Sequence, residues 1–330
     1  MTSPIKSAVS CDLTKVVSWS DFQSQLHQIY DDLCMQAQNI HPILADISYK
    51  KGKAIRAQLI FFIAELLGAV QSDHQTLACT IEYLHWASLL HDDVLDQGQI
   101  RRESPCMHKR YGNTLAILGG DWYVAQAFSV LLTLDREVIY TVQGVMKPLV
   151  QGQMMDCSLQ PDVSPEHYLT MIGYKTAALF SVAAKASAML SGARDDAICA
   201  LEKFGQDMGM AYQLQDDAAE YAKPVEFWDL GHDFFQNKVT LPWIVTRQYV
   251  SIKEWNQILD IQKTLFSESP MGGMMSVERL ALLSHIQQCF QGGVQSANNL
   301  AKEYKEHAVQ AIQACWSKEE SENLLHWGSF

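Results

Sequence analysis

Nowhere in this 330-residue chain is there a CxxC pair, an excess of positive charge, or an apolar run of the roughly 18 residues that a membrane span needs. The eight cysteines are scattered, which excludes a zinc-ribbon spacing and leaves reduced, mostly buried thiols as the reading. A formal net charge of −12 argues against a general nucleic-acid binder, whose affinity comes from Lys and Arg on phosphates. The first residues, MTSPIKSAVSCDLTK, have no apolar core of the secretory kind, so a cytoplasmic location is expected. Alternating strand patterns, solenoid-length repeats and low-complexity segments are also scarce or missing.

What is present is a chain that can bury a core: 48% of residues are hydrophobic and only 19% charged. From about Trp19 onward the apolar residues recur at helical spacing, which predicts an all-α fold and one large domain over residues 1–330. Residues 1–18 are expected to be disordered. Gly, Pro, Ser and Asp interrupt the helical pattern near 48–52, 97–105, 160–165, 223–237 and 267–275.

The stretch LLHDDVLDQGQIRR, residues 89–102, ends an otherwise apolar helix in acid. Asp92 and Asp96, four apart, share a helix face. Like charges at that spacing repel, and negative charge at a helix C-terminus is unfavourable, so something should compensate. A hard divalent cation such as Mg2+ would, because it commonly joins one or two carboxylates to substrate phosphates. Arg101 and Arg102, after a Gln-Gly loop, have the planar fork that matches phosphate oxygens. The plain alternative is a solvated acidic helix end with surface salt bridges. His85, seven residues before Asp92, falls on the same face and is equally compatible with a core histidine.

A second stretch, GMAYQLQDDAAEY (209–221), repeats the logic. Asp216 and Glu220 share a face, and Gln213 lies on nearly the same stripe. Two inward-facing acidic helices could clamp a diphosphate through metal ions, which is more specific than either stretch alone. YKKGKAIRAQL supplies Lys51, Lys53 and Arg56 at a helix entrance, where free N–H groups favour an anion. YKTAALF places Lys175 and Thr176 inside a helix of small residues, and NKVTLPW places Lys238 before another helix. Each lysine taken singly also fits a snorkelling surface residue.

GKAIR, HDDVLD with its arginine pair, HKRYGNTLAILGGD, KTAALF, GMAYQLQDD and NKVTLP, in this order, resemble the trans-isoprenyl diphosphate synthase (polyprenyl synthetase) family over residues 45–310. The resemblance implies a large helical bundle around a deep central cavity, the isoprenoid synthase fold, commonly dimeric. It implies Mg2+, three ions with substrate bound, held by Asp92, Asp93 and Asp96 on one wall and by Asp216, Asp217 and Glu220 on the other. Lys53, Arg56, His85 and Arg102 then match an isopentenyl diphosphate site. Arg101, Lys175, Thr176, Gln213 and Lys238 match residues of the allylic diphosphate site, with Asp92, Asp96, Lys175 and Asp216 closest to the chemistry. Phe180 and Tyr212 could flank a cationic carbon or simply pack.

The implied reaction is head-to-tail addition of isopentenyl diphosphate to an allylic prenyl diphosphate. Ala87 and Ser88, small residues a turn before Asp92, suggest a long product of the octaprenyl kind, with geranylgeranyl next. Trp86, Trp122 and Tyr123 are candidates for the cavity floor or for ordinary core. The EYLHWASLLHDD segment looks most like the long-chain bacterial members.

The pattern departs from the family at three places. Lys51-Gly52-Lys53-Ala54 stands for the usual GGKR, with Ala57 for a proline. Glu220 stands for an aspartate. Most consequentially, Asp229 occupies the place of a lysine four residues before the loop aspartate, here Asp233, and Lys223 is a possible replacement cation. These departures keep open a diverged terpene synthase or cyclase, or a non-catalytic partner subunit of a prenyl synthase.

Overall fold

The computed structural model describes residues 44, 52–70, 72–101, 104–225, 228, 233–267, 277–313 and 315–316. Lys51, Arg102, Asp229 and the first 18 residues, for which expectations are stated above, lie outside the described residues.

The described residues form twelve α-helices, one π-helical turn and one pair of two-residue strands, so the protein is all-α. In chain order these are α1 (Ile55–Leu66), α2 (Ser72–Leu95), β1 (Ile100–Arg101), β2 (Ser104–Pro105), α3 (Met107–Tyr111), α4 (Asn113–Leu131), α5 (Arg136–Gln143), α6 (Met146–Cys157), α7 (Pro165–Ile172), the π turn (Gly173–Ala177), α8 (Ala178–Leu190), α9 (Asp195–Ala222), α10 (Leu241–Tyr249), α11 (Ile252–Ser267) and α12 (Val277–Gln313). Among the described residues no helix is long and apolar enough to cross a membrane.

Several boundaries fall where the sequence interrupts its helical period: Ser164 caps α7 by accepting the His167 N–H at 3.3 Å, with Pro165 in the first turn. Other stops are set by glycine in the left-handed region. Gly68 (φ +64°) ends α1, and the Ala69 N–H reaches back to the Ala64 carbonyl at 3.0 Å. Gly192 (φ +69°) ends α8 in the same way.

The chain divides into two compact units. The first comprises Met1–Gln143 and Val182–Leu201. Its central helices are buried nearly all round, as in the unbroken run Leu59, Ile60 and Phe61 of α1 and residues 74–84 of α2. Such helices have no polar face, and several of the polar side chains inside are hydrogen-bonded across helices. The His74 ring lies 3.2 Å from the Ser187 carbonyl and 3.1 Å from Ser191 Oγ, and Ser187 donates to the Ile60 carbonyl at 2.7 Å. Buried Glu82 accepts the Ala57 N–H at 3.2 Å and so occupies one of the free donors at the start of α1.

The second unit comprises Gly144–Ser181 and Glu202–Phe330. Its core is aromatic: Tyr221 stacks on Phe290 (4.5 Å, 8°), and Trp228, Phe234 and Trp243 pack around them. Glycines let the helices close together. A Cβ at Gly293 of α12 would lie 2.4 Å from the Pro242 carbonyl of α10.

Candidate active site

In the first unit, α2 carries Asp92, Asp93 and Asp96 at its C-terminal end. Gln97 adopts the left-handed region (φ 51°) and stops the helix, and the β1–β2 pair then folds back, with Arg101 opposite Ser104. This return brings Arg101 onto Asp93: its Nε donates to Asp93 Oδ1 at 2.7 Å. Burial opposes the charge on Arg101, but Asp93 by charge and hydrogen bond, with help from Asp92, holds its pKa above the ordinary value. Asp93 is buried, Asp92 half-buried and Asp96 exposed. The residue before them, His91, turns to α4, where its ring lies 3.2 Å from the Ile117 carbonyl; a Cβ on Gly120 would sit 2.2 Å from that ring.

Lys53 is exposed and Arg56 buried at the start of α1. The bond from the Ala57 N–H to Glu82 brings this helix start to α2 within one turn of half-buried His85. Three of the four residues matched to an isopentenyl diphosphate site therefore share one neighbourhood; Arg102 is the fourth. Buried Ala87 and half-buried Ser88 follow, with Ser88 Oγ donating to the His85 carbonyl at 2.7 Å. Trp86, Tyr123 and Trp122 form an edge-to-face series (5.4 Å and 5.0 Å), and the Tyr123 hydroxyl donates to the Leu44 carbonyl at 3.2 Å.

In the second unit the π turn is the organising feature. A wide, five-residue turn of this kind recurs at functional sites, because it re-aims side chains within a helix. Here it carries Lys175 and Thr176. Glycines flank it on two sides: a Cβ at Gly152 of α6 would lie 2.3 Å from the Lys175 nitrogen, and one at Gly209 of α9 would lie 2.6 Å from Ala177 Cα. Lys175 Nζ pairs with Asp156 Oδ2 at 2.5 Å, from the same helix as Gly152. Thr176 Oγ1 donates to Gln213 Oε1 (2.8 Å), and Gln213 Nε2 donates to Asp217 Oδ1 (2.9 Å). The Tyr168 hydroxyl of α7 closes the chain by donating to Asp217 Oδ2. Phe180 and Tyr212 lie beside each other at 5.5 Å.

Asp217 is therefore buried with both oxygens committed to protein donors, whereas Asp216 on the adjacent face is exposed and Glu220 half-buried. Lys223 pairs with Glu220, and Lys238 lies 3.7 Å from Asp233. Burial raises the pKa of Asp217 to about 7, against the two hydrogen bonds it accepts. Burial and the neighbouring Asp233 and Glu220 raise Asp216, which is solvent-accessible but crowded by protein, against the pull of Lys238 and Lys223. Glu220 is raised mainly by burial as well. Burial is the main cause for all three, with Asp233 adding to it, and a bound divalent cation would favour their charged forms.

Among the described residues no three His, Cys, Asp or Glu side chains converge as a ready-made metal cage. Mg2+ in its usual mode, held by one or two carboxylates together with substrate phosphates, does not require such a cage. The residues that sequence reasoning did not single out are Asp156 and Tyr168, with Asp233 used only as a landmark. The spacing of Gly152 and Asp156, four apart on one face, with Lys175 later in a helix of small residues, is the signal that could have found the first.

The sequence profile of the polyprenyl synthetase family matches residues 37–269. Decaprenyl-diphosphate synthase of Dictyostelium discoideum is 32% identical over 295 residues, covering 86% of this chain and 61% of that protein, so the chain spans about three fifths of that relative. Geranylgeranyl diphosphate synthase of Sulfolobus acidocaldarius is 30% identical over 298 residues, covering 84% of this chain and 86% of that one. Among solved structures, a polyprenyl synthase from Caulobacter crescentus, crystallised with calcium and isoprenyl diphosphate, superposes with a TM-score of 0.79 at 25% identity, covering 94% and 93% of the two chains. A family match over more than half the chain, agreeing with the helical architecture and the two acidic helices, shows that this chain belongs to the polyprenyl synthetase family of prenyltransferases.

Proposed function

We propose that the protein joins isopentenyl diphosphate head-to-tail to an allylic prenyl diphosphate, releasing diphosphate and a longer trans-polyprenyl diphosphate. The observation that carries this reading is the arrangement around the π turn, where Thr176 and Gln213 are linked by hydrogen bonds to Asp217 of α9, next to Asp216, while Lys175 is held by Asp156 of α6. Bound Mg2+ would supply Lewis-acid neutralisation of the departing diphosphate. In the first unit Asp92 and Asp96, and in the second unit Asp216 and Glu220, all reached by solvent, are the carboxylates suited to hold metal ions. Asp93 and Asp217 support these pairs from beneath.

Lys175, Lys238 and Arg101 orient the allylic diphosphate, and their charge stabilises the oxygen that leaves as the allylic C–O bond breaks. Tyr212, half-buried beside fully buried Phe180, would stabilise the resulting cationic carbon through its ring face. Lys53, Arg56, His85 and Arg102 hold isopentenyl diphosphate so that its double bond attacks that carbon. A C–C bond forms, and a proton leaves the new product for the released diphosphate, so no protein base is required. The family profile runs through both units, which supports treating residues 1–330 as one functional domain. Exposed Ile117 and Leu118 on α4 support a homodimer.

Small Ala87 and Ser88 support a long product, octaprenyl first and geranylgeranyl next, with the Trp86–Tyr123–Trp122 series as the floor. The test is incubation of the purified protein with Mg2+, labelled isopentenyl diphosphate and each allylic primer in turn. A ladder ending at one prenyl diphosphate is expected. Diphosphate release without incorporation of label would replace elongation by a terpene synthase reaction.

A further inference from the structure

The second acidic cluster has a cation that the reading above leaves unused. Lys223 follows the last residue of α9 and pairs with Glu220 through Nζ. Asp216, Glu220 and Lys223 are spaced four and three apart, so they line one stripe of the helix end. Around that stripe stand four carboxylates, Asp216, Asp217, Glu220 and Asp233, and two lysines, Lys223 and Lys238. The pull of Lys223 is felt at both Asp216 and Glu220. Lys175 is paired with a different carboxylate, Asp156.

A helix-end pair of this spacing is ordinarily a weak, solvated contact. The backbone here says more. The Lys223 carbonyl accepts two hydrogen bonds, from Trp228 Nε1 at 3.0 Å and from Gln287 Nε2 of α12 at 2.8 Å. The same Gln287 amide also donates to the Tyr221 carbonyl at 2.9 Å. Trp228 is fully buried and packs edge-on against Tyr221. The path of residues 221–223 is thus fixed from two elements, while the Lys223 side chain remains 49% exposed on a flexible four-carbon stem. A fixed base with a swinging ammonium suits a group that must hold one anion and then exchange it for another.

We propose that Lys223 is a substrate-binding residue of the second acidic cluster: it neutralises Glu220 in the empty protein and transfers to a phosphate oxygen when an allylic diphosphate arrives. The assignment rests on the prenyl-transfer reading and adds a residue to it.

The test compares the wild type with Lys223→Met and Lys223→Arg, in two assays. In steady-state kinetics with farnesyl diphosphate as primer, Lys223→Met should raise the KM for the primer about tenfold or more, the loss expected for one charge-assisted hydrogen bond. The KM for isopentenyl diphosphate should stay within about twofold, and Lys223→Arg should recover most of the loss. In calorimetric titration with inorganic diphosphate and Mg2+, Lys223→Met should bind about tenfold more weakly, with an unchanged melting temperature. Equal effects on both substrates, a lowered melting temperature, or unchanged diphosphate binding would each overturn the assignment. A wild type that binds diphosphate but incorporates no isopentenyl diphosphate would sink the prenyl-transfer reading, while the titration would still decide the role of Lys223 as a diphosphate ligand.

Discussion

Replacing Gly152 by alanine places a methyl group where backbone already stands. The added Cβ would lie 2.3 Å from the Lys175 nitrogen, 2.7 Å from its Cα and 2.8 Å from the Tyr174 carbonyl carbon. Reaching the ordinary contact of 3.4 Å requires α6 and the π turn to part by 3.4 − 2.3, about 1.1 Å. No flexible side chain can absorb this, because all three neighbours are backbone. Overpacking of this kind costs about 1–3 kcal/mol. At roughly 2–4 °C per kcal/mol for a large domain, the melting temperature should fall by about 2–12 °C. The same displacement separates Lys175 from Asp156, whose ion pair spans the same gap. A misplacement of about 1 Å in a positioning group costs on the order of a hundredfold in rate. Turnover with labelled isopentenyl diphosphate should therefore drop about a hundredfold while the KM for isopentenyl diphosphate stays near wild type. A Gly152→Ala protein that melts and turns over like the wild type would refute the claim that close packing of α6 fixes the π turn.

Three further outcomes are expected. Adjacent glycines of α12 should respond in opposite directions: Gly292, with open space at its Cβ, gains about 0.5–1 kcal/mol as alanine, whereas Gly293→Ala meets Pro242 and loses about 1–3 kcal/mol, both read by urea unfolding. In metal-free protein the raised Asp217 means that the folded state binds the extra proton between about pH 4 and about pH 7, so stability should fall as pH rises through that window and level off above it. Asp217→Asn should flatten this slope in urea midpoints measured with chelator present; an unchanged slope would assign the dependence to other groups. Ser88→Phe, which fills the face one turn before Asp92, should shorten the longest product by at least one isoprene unit on chain-length analysis, and an unaltered ladder would remove Ser88 from the floor.

The helical period made the all-α class readable, and breaks such as 160–165 and 267–275 coincide with the ends of α6 and α11. The i, i+4 pairs Asp92–Asp96 and Asp216–Glu220 were readable for the same reason, since a 3.6-residue turn puts them on one face. Other features depend on partners far away in sequence. Nothing local in GYKTA announces a π turn; it is bounded by Gly152 and Gly209, which come from two other helices. Tyr168 reaches Asp217 across 49 residues, and no spacing rule links them. The stops at Gly68 and Gly192 were not singled out, although the polar QSD and RDD that follow them are the signal that could have found them.

The two acidic motifs share a division of labour that adjacency itself enforces. Neighbouring helical residues point about 100° apart, so the two aspartates of a DD pair cannot both face one ligand. In each motif the first faces solvent at least in part and the second is buried: Asp92 over Asp93, Asp216 over Asp217. The buried member is tied to a protein donor in both, to Arg101 in one unit and to Tyr168 and Gln213 in the other. The donors differ in kind. Arg101 brings a full positive charge, whereas Tyr168 and Gln213 are neutral, and it is Asp217 whose pKa climbs to about 7. Neutral hydrogen bonds thus leave much of the cost of burying the Asp217 carboxylate uncompensated. A titration of stability should see Asp217 near neutrality, and the Asp217→Asn measurement tests that assignment directly.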